Sequence, residues 1–471
     1  MAGIIAYGAY VPYNRLDRGT ISQALGVPAG KGTRAVASYD EDTTSMAVEA
    51  ACAAMATAPE GVTPASVYFS TAEPAYLDKT NATAIHAALG LGHEALAVDM
   101  GGAVRSGAGA LRAGLDSREP TLVALADIRT GLPGSGDEAN GGDGAAAFLC
   151  SSEPGQVIAE YLGSASTSAE FLDRWRLPGE RASHVWEERF GEYVYVPLAQ
   201  QAMQKGMQLA GVTIEHVDHL VATGVHARAV RAVIAGSGVR PEVVANDFSA
   251  EVGNAGTAHF GLMLADVLDR AQPNQLIAVL VVADGATVMF FRTTEAIAKY
   301  RAKSTVQEQV ASGRAGLSYN AFLSWREMLR REPPRRPDPE RTAAPPSFRS
   351  EAWKFGFTGS RCTECGARHL PPQRVCVHCH ATDKMKMERL TDIPATIATF
   401  TIDRLAYSPS PPLVAAVVDF DGGGRFPCEM TDVDPSTVAI GQRVEMTFRR
   451  MYSSETIHNY FWKARPVRSS K

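Results

Sequence analysis

The chain has 471 residues, 45% hydrophobic and 21% charged, which is enough for two or three domains with ordinary globular cores. Its 46 lysines and arginines are outnumbered by 51 aspartates and glutamates, and the net charge of −5 argues against a general nucleic-acid binder, which carries a basic face. No apolar run approaches the ~20 residues of a membrane span, and the start lacks the pattern of a secretory signal. We therefore expect a cytoplasmic protein that binds neither a membrane nor nucleic acid.

The first 294 residues alternate strand-like and helical patterns. Apolar runs predict buried strands at 4–11, 66–71, 95–100, 121–126, 145–150, 219–224 and 276–283. Helical spacing predicts helices at 45–56, 81–90, 106–115, 196–211 and 258–271. This alternation indicates a layered α/β architecture with covered sheets. The segment between Cys150 and Ser183 is less regular.

A proline-rich stretch separates this region from a smaller C-terminal unit. Residues 295–331 have a helical pattern, and residues 331–346 contain six prolines. Because proline fixes φ and removes a hydrogen-bond donor, the stretch predicts a semi-rigid linker. Beyond it, short apolar runs predict strands at 396–403, 413–421, 425–430 and 443–452. Short strands with glycine-rich turns between them are typical of a small barrel.

Four of the seven cysteines lie close together at the start of this unit. Cys362 and Cys365 form one pair with two residues between them, and Cys376 and Cys379 form a second pair. Such spacing places four thiolates on two facing turns that hold one zinc ion, with Zn–S near ~2.3 Å. His378 and His380, beside the second pair, could replace a cysteine as metal ligands. The alternative to a metal site is four reduced thiols. Because four cysteines leave no open position, we expect a structural zinc.

The cysteine segment resembles a known family. RCTECGARHLPPQRVCVHCH at 361–380 and VAIGQRVEMTF at 438–448 are similar to zinc-ribbon plus OB-fold proteins that accompany thiolase-type enzymes. The resemblance covers about residues 346–467. It implies a module that docks on a thiolase-like subunit and assists the binding of a CoA thioester, fused here to the rest of the chain.

The N-terminal region resembles the hydroxymethylglutaryl-CoA synthase and ketoacyl-carrier-protein synthase III branch of the thiolase superfamily. The matching segments are 3–16, 142–149, 184–203, 218–230 and 252–268. The resemblance implies a duplicated five-layer α/β/α/β/α fold, a CoA-thioester substrate and a homodimer or higher homo-oligomer. The expected units are a first thiolase-like half at 1–155, a second half at 156–294, a helical segment and linker at 295–345, a rubredoxin-like zinc ribbon at 346–384 and an OB-type barrel at 385–471.

The nucleophile expected from this resemblance is missing. In the family, an aspartate closing a strand is followed five residues later by the reactive cysteine at a helix start. Here Asp99 occupies the aspartate position and Val104 the cysteine position. Valine cannot form an acyl-enzyme, and Cys52 and Cys150 have the pattern of core thiols. Ser106 could replace the nucleophile, although serine at a helix start is commonly an N-cap.

The other family positions are only partly retained. The family histidine aligns with Thr223 and the family glutamate near Thr71, so His226 and Glu73 are the neighbouring candidates for acid–base work. The alternative for His226 is a packed or surface residue. Asn254 keeps the place of the family asparagine that binds the thioester oxygen. The alternative is that Asn254 only forms a turn.

Aldol or retro-aldol chemistry needs only a base, an acid and an oxyanion site, so losing the cysteine does not exclude it. Arg105 could contact CoA or be solvated, and Tyr76, Tyr193 and Tyr195 are core aromatics or acid–base phenols. The sequence therefore favours an aldolase or acyltransferase acting on CoA thioesters without a covalent intermediate. The alternative is a non-catalytic acyl-CoA-binding subunit that partners a cysteine-bearing thiolase. Single-strand binding by the barrel is disfavoured because the basic residues concentrate in the linker.

Overall fold

Apolar strands and amphipathic helices alternate through the first part of the chain in the computed structural model, which describes residues 2–153, 155–335, 337 and 339–468. The first half contains β1 (Gly3–Tyr10), β2 (Asn14–Asp17), α1 (Arg18–Leu25), β3 (Thr33–Val36), α2 (Thr43–Met55), β4 (Ser66–Ser70), α3 (Ala82–Leu89), β5 (Leu96–Asp99), α4 (Ser106–Leu115), β6 (Thr121–Ile128), α5 (Gly136–Asn140) and β7 (Asp143–Ser151). The second half contains β8 (Ala159–Ser168), β9 (Arg174–Trp175), β10 (His184–Val185), α6 (Glu188–Ala210), β11 (His219–Gly224), α7 (Ala227–Gly236), α8 (His259–Arg270), β12 (Leu276–Val282) and β13 (Gly285–Thr293).

The two halves repeat one strand order, which confirms the predicted duplication. Counted outward from the strands that join the halves, the first half has the order β1-β7-β6-β4-β5 and the second has the order β8-β13-β12-β11. They join where β1 and β8 pair antiparallel, at Gly3↔Glu160 and Ile4↔Ala159. In the first half, β5 pairs in parallel with β4 at the outer edge of the sheet. In the second half, the corresponding place beside β11 holds a parallel bridge between Leu220 and Val244.

The helices form the other three layers of the five. Buried residues of α4 and α8, such as Leu111 and Leu264, share one core cluster with Phe148 and Val279 of the two sheets. Helices α2 and α3 cover the outer face of the first sheet, and α6 and α7 cover that of the second. The predicted α/β/α/β/α layering is therefore confirmed.

The segment after β13 packs on the first half. It contains α9 (Val306–Ala311) and α10 (Tyr319–Trp325). Phe322 is buried, Tyr319 Oη donates to Glu138 Oε1 at 3.0 Å, and Arg326 forms an ion pair with buried Asp143. These contacts fix the chain up to the proline-rich stretch, of which residues 336 and 338 lie outside the described part.

The C-terminal unit consists of a ribbon and a barrel, as the sequence predicts. It contains α11 (Ala344–Arg349), α12 (Glu351–Lys354), β14 (Thr358–Cys362), β15 (Arg368–His369), β16 (Met385–Arg389), β17 (Ala395–Asp403), β18 (Leu413–Phe420), β19 (Arg425–Glu429), β20 (Arg443–Ser454) and β21 (Ile457–Pro466). The ribbon sheet has the order β15-β14-β16, and the barrel sheet has the order β19-β18-β17-β20-β21.

The barrel docks on α2 through a buried charged cluster, here called the docking cluster: Asp40, Glu41 and Glu49 of the first half with Arg449, Lys463 and Arg465 of β20 and β21. Lys463 Nζ lies 3.0 Å from Asp40, and Arg465 Nη2 lies 2.8 Å from Glu49. Charged groups removed from water in this way require close partners, so the docked orientation is specific.

No helix in the described part of the chain combines the length and apolar character needed to span a membrane.

Candidate active site

A cavity of about 510 Å³ opens where the strands of the first sheet end. The loop after β4, the turn before α4 and the residue after β6 form one side, and β9 and the connection that follows it form the other. Carboxyl ends of parallel strands are the usual place for a ligand in α/β proteins because loops converge there. This cavity is the candidate site.

Val104 lies on the cavity wall, two residues before α4 begins. Asp99, at the end of β5, accepts hydrogen bonds from the backbone nitrogens of Asn81 at 2.7 Å and Ala82 at 2.8 Å, so it fixes the start of α3. No cysteine is among the described residues that line the cavity. Burial raises the pKa of the thiols of Cys52 and Cys150 to about 12, as expected of inert core residues.

Glu73 lines the same cavity, with 38% of its side chain exposed. Its carboxylate forms an ion pair with Arg176, and the other guanidinium nitrogen of Arg176 donates to the carbonyl oxygen of Ala72 at 2.6 Å. The carboxylate is thus held on the wall by a partner from the connection between β9 and β10.

Tyr195 is a buried phenol on the cavity wall. Its Oη accepts a hydrogen bond from the backbone nitrogen of Asp284 at 3.3 Å. Burial, reinforced by the nearby charge of Asp173, raises the pKa of Tyr195, so the phenol stays protonated at neutral pH and can donate a hydrogen bond without losing its proton. The sequence offered this residue mainly as a core aromatic.

His226 and Asn254 lie beside the cavity rather than among the described residues that line it. His226 Nδ1 accepts the backbone N–H of Ala229 at 3.0 Å and so caps α7, and its ring centroid lies 5.8 Å from that of Tyr195. The Asn254 amide donates to the carbonyl of Gly224 at 2.9 Å and accepts from the nitrogen of Gly256 at 2.9 Å. Both side chains therefore make hydrogen bonds to the backbone around the site.

Arg105 also contacts the backbone. Its guanidinium donates to the carbonyl oxygens of Asp284 at 2.6 Å, Thr167 at 2.7 Å and Ala286 at 3.3 Å. Burial lowers the pKa of Arg105, and the neighbouring Asp284 carboxylate opposes that effect. The residue links α4 to β8 and β13 below the cavity wall that Asp284 forms.

Arg129, which directly follows β6, is one of four lining arginines that the sequence did not single out. Its Nη1 lies 3.7 Å from Oδ2 of Asp127, which is fully buried. Burial raises the pKa of Asp127, and the charge of Arg129 opposes this. The signal that could have identified both residues is their place at the carboxyl end of a buried parallel strand.

Gly256 lets the loop after Asn254 pack against this pair. Its φ is +53°, and an added Cβ would lie 2.1 Å from Asp127 Oδ2 and 2.8 Å from Arg129 Cδ. We predict that Gly256→Ala lowers the free energy of unfolding by about 1–3 kcal/mol, because the chain must shift to admit a methyl group. Urea unfolding measures this. Gly109→Ala, at an exposed position of α4, is the control, since nothing lies within 4 Å of its added Cβ. An equal loss in both variants would contradict the argument.

The four predicted metal-binding cysteines come together in the ribbon. The Sγ atoms of Cys362 and Cys379 lie 3.6 Å apart, as do those of Cys365 and Cys376, and all four lie within 4.8 Å of one another. A tetrahedron with Zn–S of ~2.3 Å has edges of about 3.8 Å, so the geometry fits zinc. No described acidic or histidine side chain joins the group, which leaves it closed to substrate.

Two family descriptions match the C-terminal unit. Residues 356–384 match "ChsH2, rubredoxin-like zinc ribbon domain", and residues 389–449 match "ChsH2, C-terminal OB-fold domain". Both agree with the ribbon and barrel described above and confirm the predicted resemblance.

The larger part is similar to hydroxymethylglutaryl-CoA synthases. That of Methanopyrus kandleri is 28% identical over 346 residues, covering 70% of this chain and 98% of the relative, and that of Thermococcus gammatolerans is 28% identical, covering 60% and 83%. Among solved structures, MvaS in complex with 3-hydroxy-3-methylglutaryl coenzyme A covers 82% of this chain and 99% of its own, with 19% identity and a TM-score of 0.59. An HMG-CoA synthase complexed with CoA covers 68% and 89%, with 15% identity and a TM-score of 0.57. These structures share the fold.

Proposed function

Because this chain joins a thiolase-superfamily region similar to hydroxymethylglutaryl-CoA synthases to a ChsH2-type zinc ribbon and OB-fold domain, we propose that it is an enzyme that forms or cleaves a C–C bond in a CoA thioester. The curated relatives are CoA-dependent synthases by name. We further propose that this chain works without a covalent acyl-enzyme. The ribbon then holds zinc as a structural ion.

The observation that carries the proposal is the composition of the cavity wall. Val104 stands at the helix start where the resemblance expects a nucleophile, while Glu73 and Tyr195 line the same cavity. A carboxylate can act as a base, and a protonated phenol can donate a hydrogen bond to an oxyanion; aldol chemistry uses both. Nothing in this pair requires a thiolate.

The proposed reaction balances with these two groups alone. In the cleavage direction, the Glu73 carboxylate removes the proton of a β-hydroxyl, the Cα–Cβ bond breaks, and its electron pair passes to the thioester carbonyl as an enolate. The Tyr195 hydroxyl donates a hydrogen bond to the enolate oxygen, and Cβ leaves as the carbonyl carbon of a ketone or aldehyde. The protonated Glu73 then returns its proton to Cα, which restores the carboxylate. Stabilising the developing oxyanion is commonly the largest single contribution to such a step.

Tyr195→Phe is predicted to lower kcat by about 10²- to 10³-fold with little change in KM, because it removes the hydrogen-bond donor to the enolate oxygen while keeping the ring. Steady-state kinetics on a β-hydroxyacyl-CoA measure this. Tyr193→Phe is the matched control, since Tyr193 is 81% exposed two residues away and should retain activity. Equal activity of the Tyr195 variant would remove Tyr195 from the mechanism.

The absence of a covalent intermediate has its own test. The zinc-loaded chain is incubated with acyl-CoA and examined by intact-protein mass spectrometry. We expect no acyl adduct but binding of the thioester by calorimetry, together with turnover of a β-hydroxyacyl-CoA or of an acceptor pair. An adduct on any cysteine, or neither binding nor turnover, would overturn the proposal.

A second function is supported by the hydrogen bonds of the Asn254 amide, which go to the backbone of Gly224 and Gly256. The chain would then be a non-catalytic acyl-CoA-binding subunit of a cysteine-bearing thiolase. Activity that appears only when such a thiolase copurifies would favour this alternative, and activity of the isolated chain would exclude it.

We also propose that the chain forms a homodimer through β5. This strand pairs in parallel with β4 on one side, and Leu96 at its start is 53% exposed, so its other edge is available to a second copy. Light scattering coupled to gel filtration should give twice the chain mass, and a monomer at micromolar concentration would contradict the proposal.

A further inference from the structure

One connecting segment covers a side of the candidate cavity. Residues 169–187, here called the strap, connect β8 to α6, and residues 174–181 of the strap line the cavity. Strands β9 and β10 form a two-stranded sheet of their own within the strap and extend neither large sheet. Leu177 and Trp186 of the strap are 62% and 59% exposed. Side-chain contacts with neighbouring elements therefore hold the strap over the cavity.

The strongest of these contacts are ion pairs. Three arginines of the strap each pair with a carboxylate of a different element: Arg174 with Asp137 of α5, Arg176 with Glu73 of the loop after β4, and Arg181 with Glu327 after α10. The first two arginines are similarly buried, with 17% and 24% of their side chains exposed, whereas the third is 54% exposed. Of the three, only Arg176 contacts a group to which the proposed function gives a chemical role.

The backbone of Glu73 is fixed without the strap. Its N–H donates to Oγ1 of Thr71 at 3.0 Å, and its carbonyl oxygen accepts from Oγ1 of Thr43 at 2.7 Å. Both threonines are buried, with 2% and 1% exposure. The place of the Glu73 backbone on the cavity wall therefore does not depend on Arg176.

The orientation of the Glu73 side chain does depend on Arg176. Nη1 of Arg176 donates to Oε2 of Glu73, and Nη2 donates to the carbonyl oxygen of Ala72 at 2.6 Å, so one planar guanidinium joins the side chain to its own loop. Within the described part of the chain, no other side chain forms a hydrogen bond with this carboxylate. A glutamate side chain has large rotamer freedom, which must be restricted before the carboxylate can act as a positioned base.

We propose that Arg176 is a positioning residue, which holds the Glu73 carboxylate in the orientation that takes the β-hydroxyl proton of a thioester bound beneath the strap. This inference rests on the proposed function and adds to it the residue that orients the base. Arg176 itself neither gives nor takes a proton, because a guanidinium stays charged in proteins. Arg174 and Arg181 then only anchor the strap.

The experiment compares two arginines of the same strap. Steady-state kinetics of the full zinc-loaded chain on a β-hydroxyacyl-CoA are measured for Arg176→Met and Arg174→Met. We expect Arg176→Met to lower kcat by about 10- to 100-fold with KM within about 3-fold, because a base displaced by about 1 Å loses up to about 10²-fold in rate. Arg174→Met removes an anchor without touching Glu73, so it should act mainly on KM. Arg176→Lys should recover part of kcat, since it keeps the cation and loses the planar fork.

A double-mutant cycle tests whether Arg176 acts through Glu73. In a Glu73→Gln chain, Arg176→Met should lower kcat by less than about 3-fold, because the group that it orients is no longer a base. Calorimetric binding of the thioester shows that the cavity of each variant is intact, and Arg176→Lys replaces Arg176→Met in the cycle if the methionine variant does not bind. The inference is overturned if Arg174→Met and Arg176→Met lower kcat equally, or if the losses from Arg176→Met and Glu73→Gln are additive.

Failure of this inference differs from failure of the proposed function. Full kcat in Glu73→Gln would overturn the assignment of Glu73 as the base, and the inference with it. A low kcat in Glu73→Gln together with equal kcat in the two arginine variants would overturn the inference alone and leave the proposed base in place.

Discussion

Arg449→Met is expected to lower the free energy of unfolding by about 3–5 kcal/mol near pH 8, because it removes the central cation of the docking cluster. The Arg449 side chain has no exposed surface, and its nitrogens lie 2.8 Å from Asp432, 3.2 Å from Glu41 and 3.8 Å from Asp40. Methionine keeps most of the volume but leaves the Glu41 carboxylate buried without its cation. Chemical denaturation of the full chain measures the loss.

The same variant should be less impaired near pH 5.5. Burial, opposed by Arg449, raises the pKa of Glu41 to about 7, above its value in the unfolded chain. A carboxyl with a raised pKa favours folding at low pH, and that contribution is lost as the pH rises through about 7. Without Arg449 the unpaired charge is avoided by protonation at low pH and is costly at high pH.

The control for this prediction is Arg425→Met, on the same barrel. Arg425 pairs with Asp419, but the two side chains are 65% and 46% exposed. Such surface pairs contribute about 0–1 kcal/mol. If the two variants lose the same stability at pH 8, the docking cluster does not hold the barrel on α2.

Cys365→Ser is expected to release the zinc and unfold the ribbon turns. Structural zinc sites of this kind have apparent binding free energies of about 10–16 kcal/mol, and that energy is part of the folding energy of a small ribbon. Elemental analysis should give one zinc per chain before the substitution and much less than one after it. Limited proteolysis should then cut within residues 356–384.

Cys428→Ser is the matched control for the zinc prediction. Cys428 lies in the barrel strand β19, outside the group of four, and burial raises the pKa of its thiol to about 12. Its substitution should leave the zinc content at one. A Cys365→Ser chain that keeps stoichiometric zinc, or an unmodified chain that contains none, would contradict the assignment.

Most strands and helices could be predicted because their apolar periodicity is local. The predicted helix at 106–115 has the bounds of α4, Ser106–Leu115, and each predicted strand overlaps an observed one. Strand β8 was missed because its sequence, AEYLGSASTS, has small and polar residues in place of an apolar alternation. It is a strand because β13 pairs along its whole length, a long-range partner that the local sequence does not specify.

The candidate site could be predicted only in part. Val104 and Glu73, both named from the sequence, line the cavity, and their roles stay predictions. Arg129 and Asp284 join them only because β6 and the turn after β12 end at the same cavity. Asn254 and His226 have the expected positions in the chain, but which backbone groups they contact depends on how three loops pack.

The sequence by itself determined the four-cysteine ribbon, because that site depends on residue identity and spacing along the chain. The duplicated α/β fold came from the resemblance to a known family, and Val104 at the expected nucleophile position stays a prediction from the same resemblance. Only the tertiary structure decided that the C-terminal module is fixed by buried charges and that Arg129 lines the cavity. The buried charges depend on partners hundreds of residues away, such as Glu41 for Arg449, and the place of Arg129 depends on which loops meet at the end of β6. The free energy of burying a charged side chain depends on its neighbours in the folded state, and local sequence patterns do not specify those neighbours.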